Sequence, residues 1–457
     1  MSEYTVFIFR RDLRIVDNVT LNHVMEHYHN VIPIFIFTPE QVTKKNKYKS
    51  DNAIQFMIES LKSVDKELKK HGSKLHLFHG KNDDVLKKIC SIVNVKCIAF
   101  NMDYTPYAIK RDKQIKKLCK SLSIECISKE DYLLRDVGTF LKKNGDPYTV
   151  FTPFKMNGLT FDISKPSKSR PKHLVRVNQL PTKPYIFHAI NDSILVHGGR
   201  EDGLKQLAKV KNHKNYDKTR NMVDIPTTHL SAFIKFGCIS IREVYWKVRN
   251  DIGKNSALMG QIFWREFYYY ITFYFPRVLK GENFNEKYNK IKWENSRAML
   301  NKWKQGKTGY PIVDAGMIQL NTTGYMHNRA RLITSNFLNR MLGMDWTVGE
   351  KYFATQLTDY DPAVNNGNWQ WIASTGTDPK PYFQRLFNPM LQSEKFDPNA
   401  EYIKTWLPQL KQIPAKELHN WAEYYQNYNL KDLTYVAPIV DYKEARERSV
   451  KMYRKVL

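Results

Sequence analysis

Cysteine is scarce. The five present, Cys90, Cys97, Cys119, Cys126 and Cys238, are odd in number and include no CxxC pair. That argues against a disulfide framework, a zinc site or an iron–sulfur cluster, and no metal is expected. Long apolar runs are missing too. No stretch of 18 apolar residues occurs, so no membrane-spanning helix is expected. The opening "MSEYTVFIFRRDLR" passes at once into a strand and is too short an apolar run for a signal peptide. A soluble, intracellular protein in a reducing compartment is the expectation. Repeats and low-complexity tails are absent, and the chain closes on a helical pattern, "YKEARERSVKMYRKVL". The glycines of "HGGREDG" (His197–Gly203) do not form G-x-G-x-x-G and read as a turn entering a helix, not a dinucleotide loop. Acidic residues are also short: Asp+Glu 45 against Lys+Arg 72, a formal net charge of +27. A soluble protein this basic usually meets a polyanion, although coding from AT-rich DNA contributes to the excess.

What is abundant is aromatic: Tyr 27, Phe 24 and Trp 9 in 457 residues. A chain of that length exceeds what one core usually serves, so two domains are expected. In residues 1–130, "YTVFIFR", "VIPIFIF", "KLHLFHG" and "VKCIAFN" are short apolar runs separated by helical patterns such as "DNAIQFMIESLKSVDKELKKHG". That alternation predicts a doubly wound parallel sheet of Rossmann-like type. Residues 131–195 lose periodicity and hold "SKPSKSRPKHLVRVNQLPTKP", read as a surface linker. Residues 196–457 carry helical patterns only, predicting an all-α second domain.

Several stretches point to chemistry. "DIPTTHLSAFIKFG" (Asp224–Gly237) places hydroxyls before a helix, an N-cap or an anion site. In "GQIFWREFYYYITFYF", Gln261, Trp264, Arg265 and Tyr268 fall on one helical face, polar and aromatic together, as a ligand wall needs. In "GYMHNRARLITSNF", Arg329 and Arg331 are two apart, so they point to different sides of a helix. "DYDPAVNNGNWQW" gathers Asp359, Asp361, Asn365, Trp369 and Trp371 without the spacing of a calcium loop. The two carboxylates suit acid–base work or hydrogen bonding to a ligand, and spacing alone does not choose.

"FRRDLR" (Phe9–Arg14), "WREFYY", "GKTGYPIVDAGM", "GYMHNRARLITSNFL", "DYDPAVNNGNWQW", "STGTDP" and "FNP" run in order along nearly the whole chain. Together they resemble the DNA photolyases and cryptochromes, and look closest to the class I cyclobutane pyrimidine dimer enzymes. The resemblance implies an N-terminal α/β antenna domain and a C-terminal helical domain holding FAD, reduced in the active form. Tyr216, Thr227, Thr228, Leu230 and Ser231 match the phosphate-side flavin contacts. Arg265, Asn328, Arg331, Asp359, Asp361 and Asn365 match further FAD-binding positions, with Asp361 expected to pair with Arg331 and Asn365 to face flavin N5. Trp369, Trp346 and Trp293 match an electron-transfer chain to the surface. Gln261, Trp264, Asn328 and Trp371 match the catalytic grip on a flipped-out dimer. Arg220 and Arg329, with Trp264 and Trp371, match DNA contacts. The implied reaction is light-driven: an electron passes to the dimer, the cyclobutane ring opens, and the electron returns.

Three departures accompany the resemblance. Gln261 stands where most dimer enzymes carry Glu and the (6-4) enzymes carry Gln, yet the histidine pair of the (6-4) enzymes is replaced by Asn328 and Leu332. Ala108 stands where some relatives bind a folate antenna through an acid, so folate in another geometry, deazaflavin, or no second chromophore stay open. The spacing from Tyr216 to Thr227 is one residue short of the bacterial pattern. Dimer-containing DNA is the expected partner, with no membrane and no obligate protein partner, the chain acting as a monomer in cytoplasm, nucleoid or nucleus. A (6-4) photolyase, a cryptochrome-like light receptor and a DNA-binding protein with structural FAD are the alternatives.

Overall fold

The computed structural model describes residues 2–169, 171–182, 185–377 and 382–456. Asp378 and Pro379 of "STGTDP", and Arg170, Lys183 and Pro184 of the expected linker, lie outside the described residues. Five strands, β1 (Glu3–Phe9), β2 (Val31–Phe37), β3 (His76–His79), β4 (Asn94–Asn101) and β5 (Glu125–Lys129), form one sheet in the order β3-β2-β1-β4-β5. Every pairing is parallel. Four strands are the apolar runs of the sequence. The fifth, "ECISK", is half-exposed at the sheet edge and so carries no apolar run to announce it.

Helices α1 (Val19–His27), α2 (Asp51–Lys70), α3 (Asn82–Ile92) and α4 (Pro106–Ser121) join the strands. The period-2 pleat of β1 splits the interior. Val6 and Ile8 pack with Ile32, Ile34, Ile98 and Phe100 in one core. Phe7 and Phe9 face the other way, into a core that continues through Phe56 to Phe233, Tyr245 and Phe263 of the helical part. The two halves therefore share a core.

The segment 131–195 differs from a surface linker. It contains α5 (Phe151–Gly158) and buries Tyr132, Leu133, Leu134, Phe140 and Phe154 in that shared core. Apolar residues scattered without periodicity give no sequence signal, yet each fills a gap between the halves. Beyond it come α6 (Ser231–Lys235), α7 (Ile241–Asp251), α8 (Ala257–Tyr274), α9 (Asn328–Asn336), α10 (Trp346–Gln356) and α11 (Pro362–Ala373), among other helices. No strand follows Lys129 among the described residues.

In open parallel sheets the crevice at the strands' C-terminal ends, where the order reverses, is the usual binding place. Here the loop leaving β1 at that point docks on the helical half. Arg14 lies 2.6 Å from Asp131, and Arg242 lies 2.7 Å from Asp131 and 3.1 Å from Asp17, all four buried. Gly237 has φ +65°, and a Cβ there would fall 2.2 Å from the Arg11 carbonyl oxygen. Only glycine permits that approach.

Candidate active site

One cavity of about 480 Å³ opens in the helical half. The elements around it explain why its side chains converge. Helix α8 starts at Ser256, whose hydroxyl accepts from Met259 N. Its inner face, Phe263 and Phe267, packs in the core, while Gln261, Trp264, Arg265 and Tyr268 line the cavity together. Trp264 is held flat against Phe151 of α5, ring centroids 3.6 Å apart and planes 6° off parallel. Arg265 donates to the Tyr132 carbonyl (2.9 Å) and pairs with Glu266 (2.8 Å). Burial pushes that fully enclosed glutamate up to about 7 against the pull of Arg265.

Helix α9 is capped by His327, whose Nδ1 accepts from Arg329 N at 3.1 Å. Asn328, Arg329, Arg331 and Leu332 all reach the cavity. Arg329 donates to Asn221 (2.8 Å) and lies over Phe396, and burial, then Arg220, pushes it down to about 10. Arg331 donates to the Met326 carbonyl (2.8 Å) and pairs with Asp359 at 2.9 Å.

The partner of Arg331 corrects the sequence expectation, which gave it Asp361. Asp361 is the N-cap of α11, its Oδ1 accepting from Ala363 N and Val364 N. A capping carboxylate cannot turn back to α9. Its Oδ2 instead accepts from Arg11, from Tyr132 (2.9 Å) and from Tyr269 (2.5 Å). Arg11 comes from the β1 loop, so the α/β half supplies the cation that holds Asp361, a residue of the cavity wall. Burial would raise the Asp361 carboxyl, but Arg11 overrides it and holds the group below the ordinary carboxylate range.

Along α11, Asn365, Trp369 and Trp371 also line the cavity. Asn365 donates its amide to the Glu350 carbonyl (3.0 Å) and to Glu350 Oε1 (3.1 Å). Both N–H donors are thus engaged, which leaves the amide oxygen for a ligand. The Arg385 guanidinium covers Trp371 at 4.1 Å. Trp369 is buried edge-on to Trp303 and Phe353 and touches Gly349 of α10, where a Cβ would fall 2.2 Å from its ring. Trp346 begins that same helix, buried, with Nε1 donating to Asn283 (2.8 Å). Trp293 is half-buried and meets Tyr453 edge-on. Neither Trp346 nor Trp293 lines the cavity.

Tyr216, Arg220, Thr227, Thr228, Leu230 and Ser231 complete the wall, so all the expected ligand contacts meet in one cavity. The short Tyr216–Thr227 spacing does not take Tyr216 out of it. Residues without a role in the sequence reading are Arg11, Tyr132, Tyr269, Lys235 and Glu350. Arg11 lay in a quoted motif, but nothing in the sequence told which of its two adjacent arginines turned inward. Glu350, in "TVGEKYF", reads as an ordinary exposed helix carboxylate and is instead buried.

Glu350 yields a pH prediction. Burial raises its carboxyl to about 7, partly offset by Asn365. A carboxyl raised on folding stabilises below its unfolded value and loses that contribution as pH rises through the folded one. Between about pH 4.5 and 7 the protein should lose on the order of 3 kcal/mol relative to Glu350→Gln. Urea unfolding of both proteins across that range checks this, and a constant difference would refute it.

The cavity suits a large ligand with anionic and aromatic parts. Nε of Arg220 and Nδ1 of His229, both on residues of its wall, are buried and lack a hydrogen-bond partner. Hydroxyls and arginines lie among indoles and phenols, as a dinucleotide with a flat ring requires. Comparison with known proteins agrees. Residues 5–171 match the DNA photolyase family model, and residues 258–455 match the FAD binding domain of DNA photolyase. A deoxyribodipyrimidine photo-lyase of Halobacterium salinarum is 32% identical over 98% of each chain.

The chain belongs to the DNA photolyase family.

As a family member it is an FAD-binding lyase of light-driven DNA repair chemistry. Its two-part architecture matches solved photolyases throughout. An archaeal photolyase from Sulfolobus tokodaii, whose crystal structure contains two FAD molecules, is 38% identical with a TM-score of 0.87, covering 99% of this chain and 100% of that one. A bacterial class III photolyase from Agrobacterium tumefaciens is 30% identical with a TM-score of 0.90, covering 100% and 98%. Among the described residues, no helix is long and apolar enough to cross a membrane, and no His/Cys/Asp/Glu cluster could hold a metal ion.

Proposed function

We propose that this photolyase splits cyclobutane pyrimidine dimers in DNA, in the manner of the class I enzymes, with residues 1–130 as antenna domain and 196–457 as catalytic domain. The observation that carries the reading is that Gln261, Asn328, Trp264 and Trp371 share one cavity with the FAD-holding set. Bound in its reduced form, FAD would supply the light-driven electron chemistry that opens the cyclobutane ring without net redox change. The protein's own residues do the rest. Thr227, Thr228, Ser231 and Arg265 hold the phosphates, while Asp359, locked by Arg331, fixes the ring edge. The amide oxygen of Asn365 accepts from a ring N–H, because Glu350 occupies its donors. Trp264 and Trp371 replace the stacking that a dimer loses on leaving the duplex. Gln261 and Asn328 hydrogen-bond the pyrimidine edges, and Arg220 and Arg329 take the flanking phosphates. Trp369, Trp346 and Trp293 conduct an electron between surface and cavity.

Gln261 also suits a (6-4) lesion, whose repair needs a proton donor. Leu332 cannot serve, and His327 is spent as the cap of α9, with burial pushing it down to about 4. A cryptochrome-like signalling role is less well supported, since the lesion-gripping residues are all present.

A second cavity of about 530 Å³ lies between α4 and the end of α8. Lys110, Lys113 and Lys117 line it on one helix face, with Tyr104 edge-on to Phe273. It is the place for a second, anionic chromophore, folate or flavin-like. Ala108 is buried on another face of that helix and does not line this cavity.

The test is a thymine-dimer oligonucleotide incubated with reduced protein under blue light and in the dark, with product followed by chromatography. Light-only recovery of two thymines is expected. No recovery with flavin bound and reduced, alongside repair of a (6-4) oligonucleotide, would reassign the substrate.

A further inference from the structure

Lys235 ends α6, four residues after Ser231, so the two share a helix face. Both line the FAD cavity. Among the described residues, the Lys235 ammonium makes no hydrogen bond or ion pair with the protein; it rests over the ring of Phe236, 3.5 Å from the centroid. The charged groups that act on it electrostatically are Arg11 of the β1 loop, Asp103 of the loop after β4, and Asp359 and Asp361 of the loop before α11. Each carboxylate is already committed, Asp361 and Asp103 to Arg11, and Asp359 to Arg331. Burial, and then Arg11, pushes the amine down to about 7. An ammonium that faces the cavity without a partner calls for an anion, and the carboxylates around it are already paired.

We propose that Lys235 is a cofactor-positioning residue whose ammonium neutralises the diphosphate of FAD, so that FAD binding takes up a proton at this amine. The inference rests on the reading of Thr227, Thr228 and Ser231 as the phosphate side. A diphosphate brings two negative charges to a wall where Arg265 pairs with Glu266 and Arg331 with Asp359, while Lys235 has no carboxylate of its own. Lysine suits a graded response better than arginine because its charge can be lost.

Equilibrium dialysis of the purified full chain against FAD and, separately, riboflavin tests this from about pH 6 to pH 9.5. A bound anion raises the amine's pKa. Affinity is therefore level below the free-site value and falls as pH rises through it. Wild-type FAD affinity should drop about tenfold or more across the range, while riboflavin, lacking phosphate, stays flat. Lys235→Met should bind FAD about tenfold more weakly at pH 6 and show no pH dependence in this window. Lys235→Arg should bind tightly at every pH, which also shows that the site tolerates replacement. A Lys235→Met curve that superimposes on the wild type, or riboflavin with the same pH dependence as FAD, overturns the proposal. Wild-type protein that binds no FAD at any pH overturns the flavin reading instead.

Discussion

Asp361→Ala should cost on the order of 3–5 kcal/mol of folding stability, the range for removing one partner of a buried ion pair. The loss has two physical sources. Arg11, between the Tyr132 and Tyr269 hydroxyls, would keep only its longer contact to Asp103 (3.4 Å), and α11 would lose its N-cap. Asp361→Asn should recover the cap but not the charge, and fall between. The sign with pH is fixed by the lowered carboxyl. Such a group stabilises above its unfolded value, and the contribution fades as pH falls through the folded one. The gap between wild type and Asp361→Asn should therefore close in acid. Denaturant midpoints at neutral and acid pH measure it. Equal midpoints at neutral pH would mean that the Arg11–Asp361 contact carries no net stability.

The second large effect concerns the lesion. Trp264→Ala and Trp371→Ala should each weaken binding of a dimer-containing oligonucleotide by roughly 10- to 100-fold, the worth of one base–aromatic stack. Neither should alter the flavin absorption spectrum by more than a small shift, or binding to undamaged DNA, which depends on phosphate contacts and salt. Trp264→Phe should retain most of the affinity, since Phe151 still backs the ring. Fluorescence anisotropy with damaged and undamaged duplexes separates these cases. Equal loss on both duplexes would make the indoles structural props.

How far the site was readable depended on where its information lay. The face of α8 was legible because four residues at helical spacing mixed Gln and Arg with Trp and Tyr, a pattern no core requires. The sheet was legible wherever a strand carried an apolar run, including β3 at one edge, and β5 at the other edge was missed because it has no buried residue to require one. The pairing of Asp359 and Asp361 was illegible. Two carboxylates two apart look alike until a helix starts at one of them. Arg11, Glu350 and Lys235 escaped for a different reason. An isolated charge in a sequence carries no mark of its burial, and only the packing of the two halves encloses these three. The aromatics of 131–195 were misjudged likewise, because they fill a shared interior that neither half makes alone.

That sharing bears on modularity. The loop after β1 reaches across to Asp361 of the cavity wall and is seated against Gly237. The α/β and helical halves are therefore not interchangeable cassettes. A chimaera that took its first half from a relative would import a foreign arginine into a foreign acceptor, whatever the quality of either half by itself. The strand that leads into Arg11 is therefore part of the catalytic apparatus as much as of the sheet.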